Sequence, residues 1–239
     1  MKYILLMSVL VITLVSLSTT TVPAGDVEIA LEAELASKIQ APMVIAVPTD
    51  AKDVGGLEPD EPSNGEFIWA PGKPVEGGAN GDRGWAEFNI EIPEDGEYAI
   101  WAHVVAWDGN SDSFWVTWEP ADAAENPQQT QNMDFRWSIG NGPAWHWDRV
   151  EAWKADDTHV DRIWELDKGP TKLTIFTRED ATMLDCLYIT NDLAGGQANA
   201  RVPTDEDRED QVKGVADQAV DASGKLSTKW GRIKSDYNN

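Results

Sequence analysis

Between Met133 and Trp153 the chain reads MDFRWSIGNGPAWHWDRVEAW, with tryptophans, a histidine and two arginines around a Gly-Asn-Gly-Pro turn. An indole ring is costly to leave in water and suited to lying flat against another planar or apolar face. Trp137, Trp145 and Trp147 therefore form either a heavily packed corner or a binding surface. A second candidate lies near the start, where Glu32 and Glu34 are two apart in a strand-like stretch. Their carboxylates project from one face about 6.5–7 Å apart, a span that a calcium ion with ligands at about 2.4 Å can bridge if the side chains converge. The competing reading of that pair is a solvated face in a very acidic chain. Catalytic groups form no constellation. His103, His146 and His159 lack metal-ligand spacing to one another or to a cysteine, and no P-loop, dinucleotide fingerprint or nucleophile elbow is present. No catalytic residue is assigned. A lyase grouping of His146, Arg149 and Tyr188, or a hydrolase carboxylate pair, which is defined by spatial separation and not by spacing, is the enzymatic alternative.

These side chains must be positioned by strands. Val27, Ile29, Leu31, Ala33 and Leu35 alternate with Glu28, Ala30, Glu32, Glu34 and Ala36, a period-2 pattern. Further short strands are expected over 43–47, 66–70, 84–92, 97–107, 113–119, 161–166, 172–178 and 183–190, with two more joined by residues 138–143. The five residues Asp108 to Asp112 read as a hairpin loop between 97–107 and 113–119. On the strand after the Gly-Asn-Gly-Pro turn, alternation places Trp145, Trp147, Arg149, Glu151 and Trp153 on one face. About ten short strands, with turns at this spacing and no convincing amphipathic helix, predict an all-β fold, a jelly-roll β-sandwich.

Residues 1–24 read as a secretory signal peptide, with Lys2, an apolar run from Tyr3 to Leu17 and small residues at Val22-Pro23-Ala24. That run is too short to span a bilayer, so no membrane span is expected and the chain is expected to be secreted: extracellular, at the cell surface or periplasmic. The sandwich is assigned to 25–192. Residues 193–239 read as an acidic linker or weak helix and a short basic tail, GKLSTKWGRIK, whose partner nothing identifies. The chain holds 42 acidic against 19 basic groups, a net charge of −23. Nucleic acid is excluded as a partner by repulsion. Cys186 is the one cysteine, which excludes an internal disulfide framework.

Four segments carry a resemblance: ALEAEL (30–35), EDGEYAIWAHVVAWDGNSDSF (94–114), GPTKLTIFTRED (169–180) and LDCLYITND (184–192). In order and pattern they resemble the family 6 and family 35 carbohydrate-binding modules, over about residues 27–192. That resemblance implies a jelly roll carried by secreted polysaccharide-degrading or polysaccharide-attaching proteins, and a structural calcium held by Glu32, Glu34 and Asp185.

Sugars present polar rims and apolar CH faces, so a binding surface pairs an exposed aromatic platform with Asn, Asp or Arg. The candidate ligand-binding residues are Arg136, Trp137, Asn141, Trp145 and Trp147 around the turn, Trp107, Asp108 and Asn110 at the loop, and Arg178 and Asn191 toward the end. Trp101, Trp115, Trp118 and Trp164 are assigned to packing. The family's loop before the last strand usually offers the sugar an asparagine, whereas this chain reads Asp180-Ala181-Thr182-Met183, which puts the usual loop-end site in doubt. The expected function is non-catalytic polysaccharide binding, with an adhesive or protein-interaction module as the alternative from another class.

Overall fold

The computed structural model describes residues 27–51, 61–72, 83–119, 135–153 and 159–214. The expected signal peptide and the basic tail lie outside the described residues. The strands are β1 (Glu28–Glu32), β2 (Lys38–Gln40), β3 (Val44–Ala46), β4 (Phe67–Trp69), β5 (Trp85–Ile92), β6 (Gly96–Ala106), β7 (Ser113–Trp118), β8 (Phe135–Ser138), β9 (Gly142–Arg149), β10 (Glu151–Trp153), β11 (His159–Asp161), β12 (Trp164–Leu166), β13 (Gly169–Thr177) and β14 (Met183–Thr190).

Two antiparallel sheets make the jelly-roll sandwich. In sheet A, β14 pairs with β6 on one side and with β1 and β4 on the other, while β6 also pairs with β9 and β12, and β3 extends from β4. Sheet B has the order β2-β5-β13-β7-β8, and β10 and β11 form a separate ribbon. Alternation decides what lies between the sheets. From sheet A come Leu31, Ile68, Ile100, Ala102, Val104, Leu184, Leu187 and Ile189, and from sheet B come Phe88, Ile90, Phe114, Val116, Trp118, Trp137 and Ile175, all in one apolar cluster. β14 is buried along its whole length, as a central strand covered on both faces must be.

Two connections differ from expectation. β6 belongs to sheet A and β7 to sheet B, so residues 108–112 do not close a hairpin. They carry the chain across the core, a step of about 10 Å between sheets. The Gly-Asn-Gly-Pro turn does the same, from β8 in sheet B to β9 in sheet A. Period-2 alternation specifies faces but not partners, and the strands flanking each turn pair with other strands. The crossings meet at one end of the sandwich, where Ile139 N donates to Asp112 O at 2.7 Å.

Beyond residue 192 the chain folds back onto β1 through a 3-10 turn (Gly196–Asn199) and a helix over 205–214. The Thr204 hydroxyl accepts from Asp207 N while Asp207 Oδ2 accepts from Thr204 N and Oγ1, at 3.3, 2.7 and 2.7 Å, a reciprocal cap. Among the described residues no helix is long and apolar enough to cross a membrane.

Candidate functional site

On β6 the odd positions Trp101 and His103 point away from the core, and Trp107 follows just past the strand's end. Opposite them on β9, His103 faces Trp147 and Trp101 faces Arg149. The result is an aromatic ladder on the outer face of sheet A. His103 lies between two indoles, 5.5 Å from Trp145 with the planes 27° apart and 5.0 Å from Trp147 at 35°. The Arg149 guanidinium sits 5.9 Å from the Trp101 ring and pairs with Asp161 at 3.0 Å. All five side chains are half-buried, so each ring keeps an edge or face in water. Trp101 is therefore a surface residue and not the packing residue its strand pattern suggested.

Toward the crossing loops, Trp107 and Trp145 pack against a second apolar cluster of Phe67, Trp69, Val105, Ala181 and Met183. Trp145 meets the Phe67 ring edge-on at 5.6 Å. Just beyond, Asp108 Oδ1 accepts from Asn110 N at 2.8 Å, and a Cβ on Gly109 would lie 4.0 Å from Asn141 Nδ2. Trp107, Asp108, Asn110, Asn141, Trp145 and Trp147 are thus brought to one continuous region. In the loop before β14, Ala181 and Thr182 are buried.

Four expected ligand residues fall elsewhere. Trp137 is fully buried between the sheets, with Nε1 donating to Asp148 Oδ1 at 3.0 Å, and has no face for a ligand. It alternates inward because β8 belongs to sheet B. Burial pushes the Asp148 carboxyl up, against the Gly140 and Trp137 donors that oppose the shift. Arg136 and Arg178 lie on the outer face of sheet B, on the far side of the core. Arg178 donates to Ser113 Oγ at 2.6 Å and pairs with Glu179. Asn191 sits at the other end of β14, where Oδ1 accepts from Val27 N (3.1 Å) and Nδ2 donates to Glu94 (2.9 Å). Both of its polar groups tie strand ends together.

Sheet B also holds a row of side chains that joins Arg136 and Trp115, the latter assigned to packing, to Trp85 and Phe176, which the sequence reading did not single out. Register aligns Trp85, Phe176, Trp115 and Arg136 in one row. Cations lie over the rings: Lys38 over Trp85 at 4.8 Å, Arg83 over Phe176 at 4.2 Å and Arg178 over Trp115 at 5.7 Å. Polar neighbours along each strand hid this row, because it runs across strands and not along any of them.

The expected metal ligands do come together. Glu32 and Asp185 are fully buried and Glu34 nearly so. The register of β14 against β6 shifts between Leu184 and Cys186, which places Asp185 at a bulge. Its Oδ1 accepts from Ser63 N (2.9 Å) and Oδ2 meets His103 Nδ1 (2.6 Å). Glu34 Oε1 accepts from Asn64 Nδ2 at 2.8 Å, while Oε2 is buried with no hydrogen-bond partner among the described residues. Burial is the main reason that Glu34 is pushed up to about 7, and it raises Glu32 as well. Glu32 Oε2 accepts from Ser63 Oγ, and Oε1 from Arg208 Nε at 2.8 Å. Five of the six carboxylate oxygens thus already accept from protein donors. Calcium requires six to eight oxygens turned toward it, so the set as folded does not fit that ion.

In sequence, the chain matches no family profile and no curated protein. In structure, it is similar to a family 35 carbohydrate-binding module from Clostridium thermocellum, at 11% identity and a TM-score of 0.43 over 68% of this chain and 97% of that one. It is also similar to the C-terminal family 6 module of a Zobellia galactanivorans laminarinase, at 15% identity and 0.41 over 68% and 98%. A Podospora anserina β-(1,4)-mannanase that carries a family 35 module aligns at 12% identity and 0.43, this chain spanning 27% of that enzyme's length.

Proposed function

We propose that this chain is a secreted, non-catalytic binder of polysaccharide and that the sugar chain lies along the outer face of sheet A. One observation carries the reading: Trp145 and Trp147 flank His103 on a half-exposed face that continues to Trp101 and Arg149. From Trp101 to Trp107 this face runs about 20 Å along β6, long enough for several sugar units. Indole faces supply CH stacking. His103, Arg149, Asp108, Asn110 and Asn141 supply directional hydrogen bonds at the rim. Residues 1–24 support export.

Affinity-gel retardation across soluble polysaccharides, followed by a glycan screen, tests the proposal. Retardation by at least one polysaccharide that is lost in Trp147→Ala is the expected result. Absence of binding to any glycan overturns it and leaves the adhesive reading. Release of reducing ends or unsaturated uronates by the wild-type chain overturns the non-catalytic part.

A further inference from the structure

We infer that Arg208, delivered by the chain's own C-terminal helix, is the structural cation of the buried cluster formed by Glu32, Glu34 and Asp185, in the place where the family resemblance implies calcium. A carboxylate out of reach of water stays ionised only beside a compensating positive charge, because an unpaired buried ion carries a desolvation cost of several kcal/mol, and Glu32 is fully buried. Among the described residues, the guanidinium that reaches the cluster is Arg208. It donates through Nε to Glu32 Oε1 at 2.8 Å and through Nη2 to Ser63 O at 3.3 Å. Ser63 in turn donates to Glu32 and to Asp185, so one arginine and one loop residue connect two of the three acids.

The arrival of Arg208 is specified independently of its charge. Gln211, three residues on and on the same helix face, takes over the polar groups that end β1. Its Oε1 accepts from Glu32 N at 2.9 Å, and its Nε2 donates to Glu32 O at 2.9 Å and Leu35 O at 3.1 Å. At the helix start, Arg201 bridges Asp207 (2.7 Å) and Glu28 of β1 (3.2 Å). Backbone mimicry, a capped start and an ion pair thus fix the helix register against β1, and Arg208 then enters the cluster at one height only. A segment that composition marks as acidic linker is, on this reading, the part of the fold that makes a metal ion unnecessary. The inference does not depend on what the aromatic face binds.

Thermal unfolding of the full chain and of two variants, each in EDTA and in calcium chloride, tests this, together with isothermal titration of calcium into the metal-stripped chain. Wild type should melt at the same temperature in both buffers and give no calcium heat. Arg208→Ala should melt on the order of 10 °C lower in EDTA and recover at least roughly 2 °C in calcium. Arg208→Lys, which keeps the charge, should lose less and gain nothing from calcium. Stoichiometric calcium binding by wild type with a raised melting temperature overturns the inference, even if Arg208→Ala does not fold. So does an Arg208→Ala variant that melts with wild type in EDTA.

Discussion

The outer faces of the two sheets carry similar aromatic side chains and present them differently. On sheet B each ring of the Trp85, Phe176 and Trp115 row has a cationic side chain lying over it. On sheet A the Arg149 guanidinium lies near Trp101 in the same way, but Trp145 and Trp147 flank a histidine, and their rings are held by other rings. A ring under a guanidinium has given one face to a cation–π contact, whereas Trp145 and Trp147 are held by neighbouring rings, Trp145 stacked on His103 and edge-on to Phe67, and Trp147 tilted against His103. The lesson is that the count of half-exposed aromatics does not identify a binding face. What lies over the rings does. Sheet A is distinct in a second respect, because the helix over 205–214 covers the end of it that bears Glu32.

The comparison can be broken most severely from inside. Trp137→Ala removes a fully buried indole and one of the two donors to Asp148, and should destabilise the domain by about 3–5 kcal/mol, read by denaturant unfolding. Trp147→Ala should leave that midpoint within about 1 kcal/mol. If both cost the same, Trp147 is core and the proposed face is wrong. Next in size is ligand affinity: Trp147→Ala should weaken retardation by a bound polysaccharide about tenfold or more, and Trp115→Ala on sheet B should change it by less than about twofold. The reverse order would move the site to sheet B.

A smaller effect concerns the helix over 205–214 that packs on sheet A. Although burial raises Asp207, its contacts with Arg201 and Thr204 bring it down to about 2, below the ordinary aspartate value of 3.8. A group with a depressed folded value stabilises above its unfolded value and loses that contribution as pH falls through the folded one. The melting-temperature gap between wild type and Asp207→Asn should therefore be full at pH 5–7 and close as pH falls from about 4 to about 2. A gap that persists at pH 2 would show that the cap, and not the ion pair, holds the helix. The smallest change is expected for Arg83→Ala. Loss of its contact with Phe176 should cost about 0.5–1 kcal/mol and should not alter polysaccharide retardation.

Much of the fold was legible because side-chain alternation is local. β5, β7 and β14 fall within a residue of where their patterns place them, and Trp118 and Trp164 are buried as their strands require. Trp101 and Trp115 were misread for a shared reason: each sits in a strand flanked by apolar residues on both sides, and only the sheet partner decides whether the second face is covered. The helix start was also readable, since Thr204-Asp205-Glu206-Asp207 is a capping pattern with acids in the first turn. It was lost in the overall acidity of the segment.

By itself, then, the sequence determined an all-β sandwich, the sharing of one strand face by Trp145, Trp147 and Arg149, which the structure turns outward, and the placement of Glu32 and Glu34 on one face of another strand. These follow from a period of two residues, which needs no knowledge of distant partners. Only the tertiary structure decided that residues 108–112 cross between sheets, that Trp137 is interior while Trp101 is not, and that Arg208 meets Glu32 across 176 residues of chain. Each of those depends on which strand or helix lies alongside, and pairing between remote segments is set by the burial of the whole and not by any local pattern.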